Sequence, residues 1–504
     1  MNLLEEAKTI AKGAGLAFLG FGASKIFTYI WRLVLARAGT DVYGLFSLGV
    51  ALLTIAVAVS LLGLANGVER FAAYYYGKNE RDKIKGVLTA ALKISLAASI
   101  AIGVLLYVFA GAIARGIFGK PEMEVIIQFM AIALPAATLT EICFSAMKAL
   151  QQIKYAIITK NVLDSAFKIA LAAIPAFLSW GLLGLSAGYA AACFLTVLAF
   201  IYFLDRKVFP LFSAKIKSAN VNRELLSFSL PLVVVSIASS SFYIIDTLVL
   251  GILKTANEVG VYNAASPTAT LLLLMPTALL SLFLPVMTAE YAKDKKEKVT
   301  AIYRIVSKWI LLANLPVLLG MVLFSRLIVV RFFGVEYAAA AIPLVILSFG
   351  YFTLSFFWTS FYVLSMLKKT KQIMLFAIVN ISVNFTLAFL LVPQYGMVGA
   401  ATSTAVAMGV YGLLFFGAAR KYFKASPFDK RLLAFALGFG AVFFVTWLAE
   451  SVFGFGVAEK LALFFAVVFV YLLAALKFGF IGEVEKELFR KAFKRTGLRG
   501  LKEL

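Results

Sequence analysis

The amino-acid sequence predicts an all-α protein that crosses a membrane many times, and three observations support this fold class. Hydrophobic residues make up 62% of the 504 residues and charged residues only 14%, whereas soluble domains are about 45–50% apolar. The mean hydropathy is +0.95. Apolar runs of about 20 residues, the length that a helix needs to cross a bilayer, follow one another along the whole chain.

Fourteen such runs are predicted to be membrane-spanning helices. Six precede the polar segment 205–224, at roughly 13–38, 42–68, 87–112, 124–148, 155–177 and 180–204. Eight follow it, at roughly 225–252, 259–289, 300–324, 339–366, 372–393, 396–418, 432–450 and 458–478. We therefore expect an N-lobe (1–204), a cytoplasmic connection (205–224), a C-lobe (225–418), two extra helices (431–480) and a basic cytoplasmic tail (481–504).

The positions of Lys and Arg support this count and predict the orientation. If the N-terminus and every second connection are cytoplasmic, the great majority of the loop cations lie on the cytoplasmic side, as is usual for membrane proteins. The outer connections hold only Arg37, Arg115, Lys120, Lys254, Arg326, Arg331 and Lys460. The sequence thus predicts a multi-pass protein of the cytoplasmic membrane with both termini in the cytoplasm.

The overall charge and the residue types exclude several classes of function. A net charge of +23 would suggest nucleic-acid binding in a soluble protein, but here the cations flank apolar runs and face lipid headgroups. We expect membrane lipids, not nucleic acid, as partners of this charge. The chain has no His and only two Cys, both within apolar runs, so no disulfide framework, transition-metal site or cofactor is predicted.

The sequence also repeats itself. Lys154 matches Lys371 at an offset of 217, and GLLGLSAG from Gly181 matches GMVGAATS from Gly396 at an offset of 215. The repeat makes spans one to six equivalent to spans seven to twelve, unless the match is a chance similarity between apolar helices. Because each copy has an even number of spans, both copies have the same orientation. Such parallel repeats place a substrate path between two lobes.

The first predicted span carries two cations, Lys25 and Arg32, deep within an apolar run. They are seven residues apart, about two helical turns, so they lie on one face together with Tyr29. Each charge costs roughly 2.5–3.5 kcal/mol at the centre of a membrane helix. This cost is tolerated when the face lines a watery cavity or binds an anion. The alternative is a structural pairing with Glu141 or Asp164.

The fifth predicted span contains Asp164 and Lys168, which are four residues apart and suited to an ion pair within the helix. Such a pair would neutralise two charges for membrane insertion, or it would line the cavity or relay protons. Glu141 in the fourth span has two possible roles. It pairs with a cavity cation, or it takes up a coupling proton.

The C-terminal half differs because its deep ionisable residue, Asp246, is acidic. Asn380 and Asn384 share a helical face, and Thr402 and Thr404 lie on the next span. One carboxylate surrounded by neutral oxygen atoms suits a monovalent cation such as sodium and not a transition metal. The alternative is a set of polar contacts that hold helices together.

Several segments resemble the polysaccharide flippase branch of the multidrug/oligosaccharidyl-lipid/polysaccharide exporter superfamily. They are Arg32 with Ala36–Gly39, VYGLF, LLGLANGVERF and KNERDK in the first half, and Asp246, VGVYNAASP and LPVMTAEYAK in the second. The resemblance implies two six-helix lobes and alternating access. It also implies a substrate in which an oligosaccharide is carried on a polyisoprenyl phosphate or pyrophosphate. Asp246, Asn380, Asn384 and, loosely, Thr402 resemble the sodium site of the related lipid II flippases.

The sequence therefore predicts a flippase for anionic lipid-linked oligosaccharides, driven by a sodium or proton gradient and acting as a monomeric transport unit. Lys25, Tyr29, Arg32 and Lys168 are the candidate substrate-binding residues, and Asp246, Asn380, Asn384 and Thr402 are the candidate coupling-ion ligands. One alternative is an exporter of drugs or organic cations with the same fold. A second is a membrane glycosyltransferase or polymerase, although the short connections offer no catalytic domain.

Overall fold

The protein is an all-α, multi-pass membrane protein. In a computed structural model, the described residues are 22, 25–173, 180–213, 216–233, 236–237, 244–427 and 430–480. Within these ranges all regular secondary structure is helical, and nine helices are long and apolar enough to cross a membrane. The count of fourteen spans and the lobe boundaries remain predictions, and the predicted tail at 481–504 lies outside the described residues.

The described helices of the N-terminal half overlap the predicted spans, and residues 13–21, 23–24 and 174–177 of those spans lie outside the described residues. These helices are α1 (25–36), α2 (Thr40–Ser60), α3 (Leu64–Gly77), α4 (Arg81–Val108), α5 (Met123–Ala149), α6 (153–173) and α7 (Gly181–Phe203). The span predicted at 42–68 is divided, because the chain breaks between α2 and α3. Leu62 and Gly63 have φ angles of 48° and 72°, which a right-handed helix cannot accommodate.

The C-terminal half begins with two short helices and continues with long ones. They are α8 (Asn222–Ser229), α9 (Ile245–Leu253), α10 (Ala256–Ala269), α11 (Leu274–Tyr291), α12 (Lys296–Leu323), α13 (Ser325–Phe332), α14 (Ala341–Met366) and α15 (Thr370–Phe423). The last two are α16 (Lys430–Phe453) and α17 (Val457–Lys477), which pack against α12.

The helix α15 covers two predicted spans, 372–393 and 396–418. Its 54 residues would extend for about 81 Å if straight, far more than a bilayer's thickness. Gly396 interrupts the run with a φ of 53° and a ψ of −131°. A β-carbon on Gly399 would lie 2.5 Å from the Leu391 carbonyl oxygen, so the chain folds back at Gly396. This glycine therefore joins two antiparallel segments.

The two halves meet where α2 packs against α10, on the predicted outer side. Gly44 and Gly260 allow the backbones to touch, since a β-carbon on either would lie 1.9 Å from a carbonyl oxygen of the other helix. The Tyr43 hydroxyl donates to the Asn263 carbonyl oxygen over 2.9 Å. Lys120, in the connection before α5, donates to the carbonyl oxygens of Gly251 and Lys254. Burial lowers the pKa of Lys120 because its ammonium group loses water.

A second contact between the halves lies on the predicted inner side, where α8 packs against α3. A β-carbon on Gly67 would lie 2.3 Å from the Ser229 hydroxyl oxygen, and one on Gly63 would lie 2.1 Å from the Ser229 carbonyl oxygen. The Arg70 guanidinium lies over the Phe228 ring, 4.2 Å from its centroid, an attractive cation–π geometry. The central space of the molecule therefore lies between two contacts that join the halves.

Candidate functional site

The predicted cation face of α1 lines a central cavity of about 580 Å³. Lys25, Tyr29 and Arg32 all lie on its wall, and α6 adds Lys168. The opposite wall comes from the C-terminal half and includes Asn263 and other residues of α10. The structure thus brings together all four predicted substrate-binding residues, which lie on two different helices.

The two cations of α1 have no carboxylate partner among the described residues. Glu141 pairs with Lys160, and Asp164 pairs with Lys168 over 2.8 Å, so neither acid neutralises Lys25 or Arg32. Lys25 lies close enough to Arg32 for the two positive charges to repel each other. The structural pairing considered from the sequence is therefore wrong for Glu141 and Asp164. The described part of the cavity carries an uncompensated positive charge.

Tyr29 and Arg32 connect this cavity to the outer contact between the halves. The Tyr29 hydroxyl shares a 3.0 Å hydrogen bond with the Thr268 hydroxyl of α10. The Arg32 guanidinium lies near the Tyr43 hydroxyl, which in turn donates to the Asn263 carbonyl oxygen. Because both links cross from the N-terminal to the C-terminal half, a ligand on these side chains would act directly on the inter-half contact.

A second, smaller cavity of about 360 Å³ lies within the N-terminal half, and we call it the N-chamber. The residues that line it belong to α2, α5, α6 and α7. The polar ones are Thr54, Thr140, Glu141, Lys160, Asp164, Lys168, Tyr189 and Thr196. Glu141 and Lys160 form a salt bridge here, and Thr196 donates to the Asp164 carboxylate over 3.1 Å.

Asp246, the predicted coupling-ion ligand, lies on α9 and is only 4% exposed. One carboxylate oxygen accepts the Thr247 backbone N–H at 2.7 Å, and the other accepts the hydroxyl groups of Tyr262 and Thr404. No described residue forms a salt bridge with Asp246. The prediction did not include Tyr262, although a tyrosine within an apolar run needs a hydrogen-bond partner for its hydroxyl group, which could have identified it.

The structure separates the two threonines of α15. Thr404 donates to Asp246 over 3.3 Å, whereas Thr402, the predicted ligand, donates to the Val398 carbonyl oxygen of its own helix over 2.8 Å. Thr404, and not Thr402, is therefore the threonine that contacts Asp246. The two side chains point apart because successive residues of a helix are about 100° apart, so residues two apart lie on different faces.

Asn380 and Asn384 are 1% and 2% exposed. Asn380 donates to the Ala407 carbonyl oxygen over 2.8 Å. The side-chain oxygen of Asn384 has no hydrogen-bond partner, which is costly for a buried polar atom. A carboxylate, hydroxyl oxygens and an unsatisfied amide oxygen are the donor types that sodium and other hard cations prefer. These donor types therefore fit a sodium ion, and Thr404 and Tyr262 are the side chains among them that contact Asp246.

Comparisons with known proteins agree with this architecture. A family model described as polysaccharide biosynthesis protein matches residues 10–290, and one described as MatE matches residues 231–390. An uncharacterized membrane protein of Methanocaldococcus jannaschii is 24% identical over 78% of this chain and 80% of its own length. The probable low-salt glycan biosynthesis flippase Agl15 of Haloferax volcanii is 25% identical over 38% of this chain and 41% of its own length.

The fold is that of a solved transporter. The structure of the lipid II flippase MurJ in an inward closed conformation matches with a TM-score of 0.69 and 16% identity, over 92% of this chain and 98% of that chain. The first family model covers more than half of the sequence. The chain therefore belongs to the polysaccharide biosynthesis protein family, a transporter family within the multidrug/oligosaccharidyl-lipid/polysaccharide exporter superfamily.

Proposed function

We propose that this protein is an alternating-access flippase that moves polyisoprenyl (pyro)phosphate-linked oligosaccharides across the cytoplasmic membrane. The observation that carries the proposal is the pair of cations, Lys25 and Arg32, on the wall of the central cavity without a carboxylate partner among the described residues. Agl15 is named as a probable glycan biosynthesis flippase and MurJ as a lipid II flippase, and both names are consistent with this cargo.

The charge of the cargo explains why the cavity is cationic. A phosphate or pyrophosphate group loses its hydration when it enters a protein within a membrane, and this loss is prohibitive unless cations replace the water. Arg32 offers a planar set of N–H donors for phosphate oxygens, and Lys25 adds a compact point charge. Their mutual repulsion in the absence of an anion would be relieved by the bound phosphate.

Alternating access requires the two inter-half contacts to open in turn. The outer contact, formed by α2 and α10, would open while the inner contact, formed by α3 and α8, stays closed, and the reverse would follow. Tyr29 and Arg32 lie beside both the cavity and the outer contact, so the cargo binds where it is able to influence opening. A ligand shifts such an equilibrium only by its difference in affinity for the two states.

Asp246 is the proposed site of ion coupling. Asp246, Thr404 and Asn384 would hold a sodium ion, which supplies a positive charge to a buried carboxylate whose partners among the described residues are hydroxyl and N–H donors. A proton on Asp246 would neutralise the same charge, so sodium and proton coupling are both compatible with these residues. The coupling ion therefore acts in the C-terminal half, away from the phosphate-binding cations of α1.

The second candidate function is export of drugs or organic cations, favoured by the MatE family model over residues 231–390. Its cargo would be positively charged and would need acidic or aromatic walls. Lys25 and Arg32 would repel such a cargo. The two functions therefore predict opposite effects when these charges are removed.

The test is the transbilayer movement of a fluorescent polyisoprenyl-phosphate-linked sugar in proteoliposomes. We expect movement by the unaltered protein and at least a tenfold loss in the Lys25→Gln/Arg32→Gln variant. Lys93→Gln, which removes an exposed cation of α4 that does not line the cavity, serves as the matched control and should retain movement. Two results would contradict the proposal. One is unchanged lipid movement in both variants, and the other is an uptake of organic cations that increases in the double variant.

A further inference from the structure

We propose that the N-chamber binds the first sugar of the cargo while Lys25 and Arg32 bind its phosphate. This inference rests on the proposed function and adds a division of the substrate site into two parts of different chemistry. The phosphate part is the central cavity, and the sugar part is the N-chamber within the N-terminal half.

The positions of the two cavities allow one molecule to occupy both. Thr54, Lys168 and Tyr189 line the central cavity and the N-chamber alike, so they form the boundary between the two spaces. A sugar attached directly to a phosphate in the central cavity would reach the N-chamber across this boundary. The volume of about 360 Å³ lies at the lower end of the range for small-molecule sites, which suits one sugar unit better than a whole oligosaccharide.

The charges of the two cavities differ. In the N-chamber each cation has a carboxylate partner, Lys160 with Glu141 and Lys168 with Asp164, so these walls carry no net charge. In the central cavity Lys25 and Arg32 form no such pair with a described residue. An anionic phosphate therefore favours the central cavity. An uncharged group gains nothing from the unpaired cations and is not repelled by the paired ones.

The hydrogen-bonding groups of the N-chamber match those of a sugar. Carboxylate oxygens accept hydrogen bonds from sugar hydroxyls, and ammonium groups donate to sugar oxygens. The four charged side chains remain between 15% and 33% exposed, although they lie within predicted membrane spans. They therefore have surface available to a ligand.

The test compares the binding of two lipids that differ only by one sugar. The probes are a polyisoprenyl monophosphate and the same lipid carrying a single hexose, and dissociation constants are measured on the full-length protein in detergent. The chamber variant is Glu141→Leu/Lys160→Met, which removes one ion pair and keeps similar side-chain bulk. Paired removal leaves no lone buried charge, so this variant should fold.

The matched control is Glu69→Leu/Lys148→Met. It makes the same chemical change at a salt bridge between α3 and α5 whose residues do not line the N-chamber. We expect the chamber variant to bind the hexose-bearing lipid about tenfold more weakly, as expected for lost hydrogen bonds to charged groups, and the sugar-free lipid with unchanged affinity. The control should bind both lipids like the unaltered protein.

Three outcomes would overturn the inference. They are equal weakening for both lipids, no weakening for either lipid, and the same selective loss in the control variant. Failure of the proposed function is distinguishable, because it would appear as unchanged binding of both lipids by Lys25→Gln/Arg32→Gln. Thermal unfolding of each variant separates a loss of binding from a loss of folding.

Discussion

The N-terminal and C-terminal halves share short similar sequence segments at offsets of 215 and 217 residues, but their predicted site residues carry opposite charge. The N-terminal half presents Lys25 and Arg32 to the central cavity without carboxylate partners among the described residues. The C-terminal half buries Asp246, whose hydrogen-bond partners among the described residues are hydroxyl and N–H groups. This difference supports the proposal that the two halves serve different ligands, an anion in the N-terminal half and a cation in the C-terminal half.

The environments of the carboxylates show the same contrast. Asp164 in the N-terminal half is matched to Lys168, and Glu141 to Lys160. Asp246 is only 4% exposed and has no ion-pair partner among the described residues. A buried charge without a counter-charge is expensive, and a bound ion or proton would remove this cost. Four predictions test this difference between the halves.

The largest expected effect comes from reversing the charges of Lys25 and Arg32 in the N-terminal half. Lys25→Glu/Arg32→Glu should weaken binding of a polyisoprenyl monophosphate by at least a hundredfold, because attraction of the phosphate becomes repulsion. Equilibrium binding in detergent measures this effect. Lys93→Glu is the control of equal chemistry outside the cavity. If both variants bind the polyisoprenyl monophosphate with equal affinity, Lys25 and Arg32 do not form an anion site that distinguishes the N-terminal half.

Neutralising Asp246 should change ion coupling and leave cargo binding unchanged. We expect Asp246→Asn to keep its affinity for the same lipid within about twofold but to lose the acceleration of transport by a sodium or proton gradient. Proteoliposome transport with and without each gradient provides the measurement. If the gradient still accelerates this variant, ion coupling lies elsewhere in the molecule.

The two threonines of α15 offer a matched pair of single changes. Thr404→Val removes a hydrogen bond to Asp246, whereas Thr402→Val removes one to the Val398 carbonyl oxygen. We expect Thr404→Val to change the ion concentration for half-maximal transport by about fivefold, in line with one hydrogen bond to a charged group. Thr402→Val should leave this concentration unchanged. The reverse result would restore Thr402 as the ligand.

The smallest expected effect concerns the link between the halves at Tyr29. Tyr29→Phe removes the hydrogen bond to Thr268 and should lower the free energy of unfolding by about 1 kcal/mol, the usual net value of one hydrogen bond. Thermal unfolding in detergent detects such a change. Tyr202→Phe, at an exposed tyrosine of α7, should unfold like the unaltered protein. A larger loss at Tyr202 would show that the assay does not report the inter-half link.

The sequence predicted the helical class and the shared face of Lys25 and Arg32 because both depend on local pattern. Apolar runs determine where spans lie, and the seven-residue spacing of Lys25 and Arg32 places them on one face. The break at Leu62 and Gly63 was missed, since the apolar run continues through it. The break is a tertiary effect, for Gly63 lies against the backbone of Ser229.

Partners across helices could not be predicted for a similar reason. Periodicity gives the face of a residue but not the neighbouring helix that this face contacts. It offered both Thr402 and Thr404 to Asp246, and it left Glu141 with two possible roles, pairing with a cavity cation or taking up a coupling proton. The pairing of Glu141 with Lys160, and the N-chamber that it lines, depend on the packing of α5 against α6.

The most direct measurement compares one lipid-linked sugar with and without its phosphate. Transbilayer movement of both lipids is followed in proteoliposomes containing the unaltered protein or Lys25→Gln/Arg32→Gln. The cationic cavity predicts that the unaltered protein moves the phosphorylated lipid and that the double variant moves it at least tenfold more slowly, with the phosphate-free lipid moved poorly by both. Equal movement of the two lipids, unaffected by the double variant, would contradict an anion-selective central cavity.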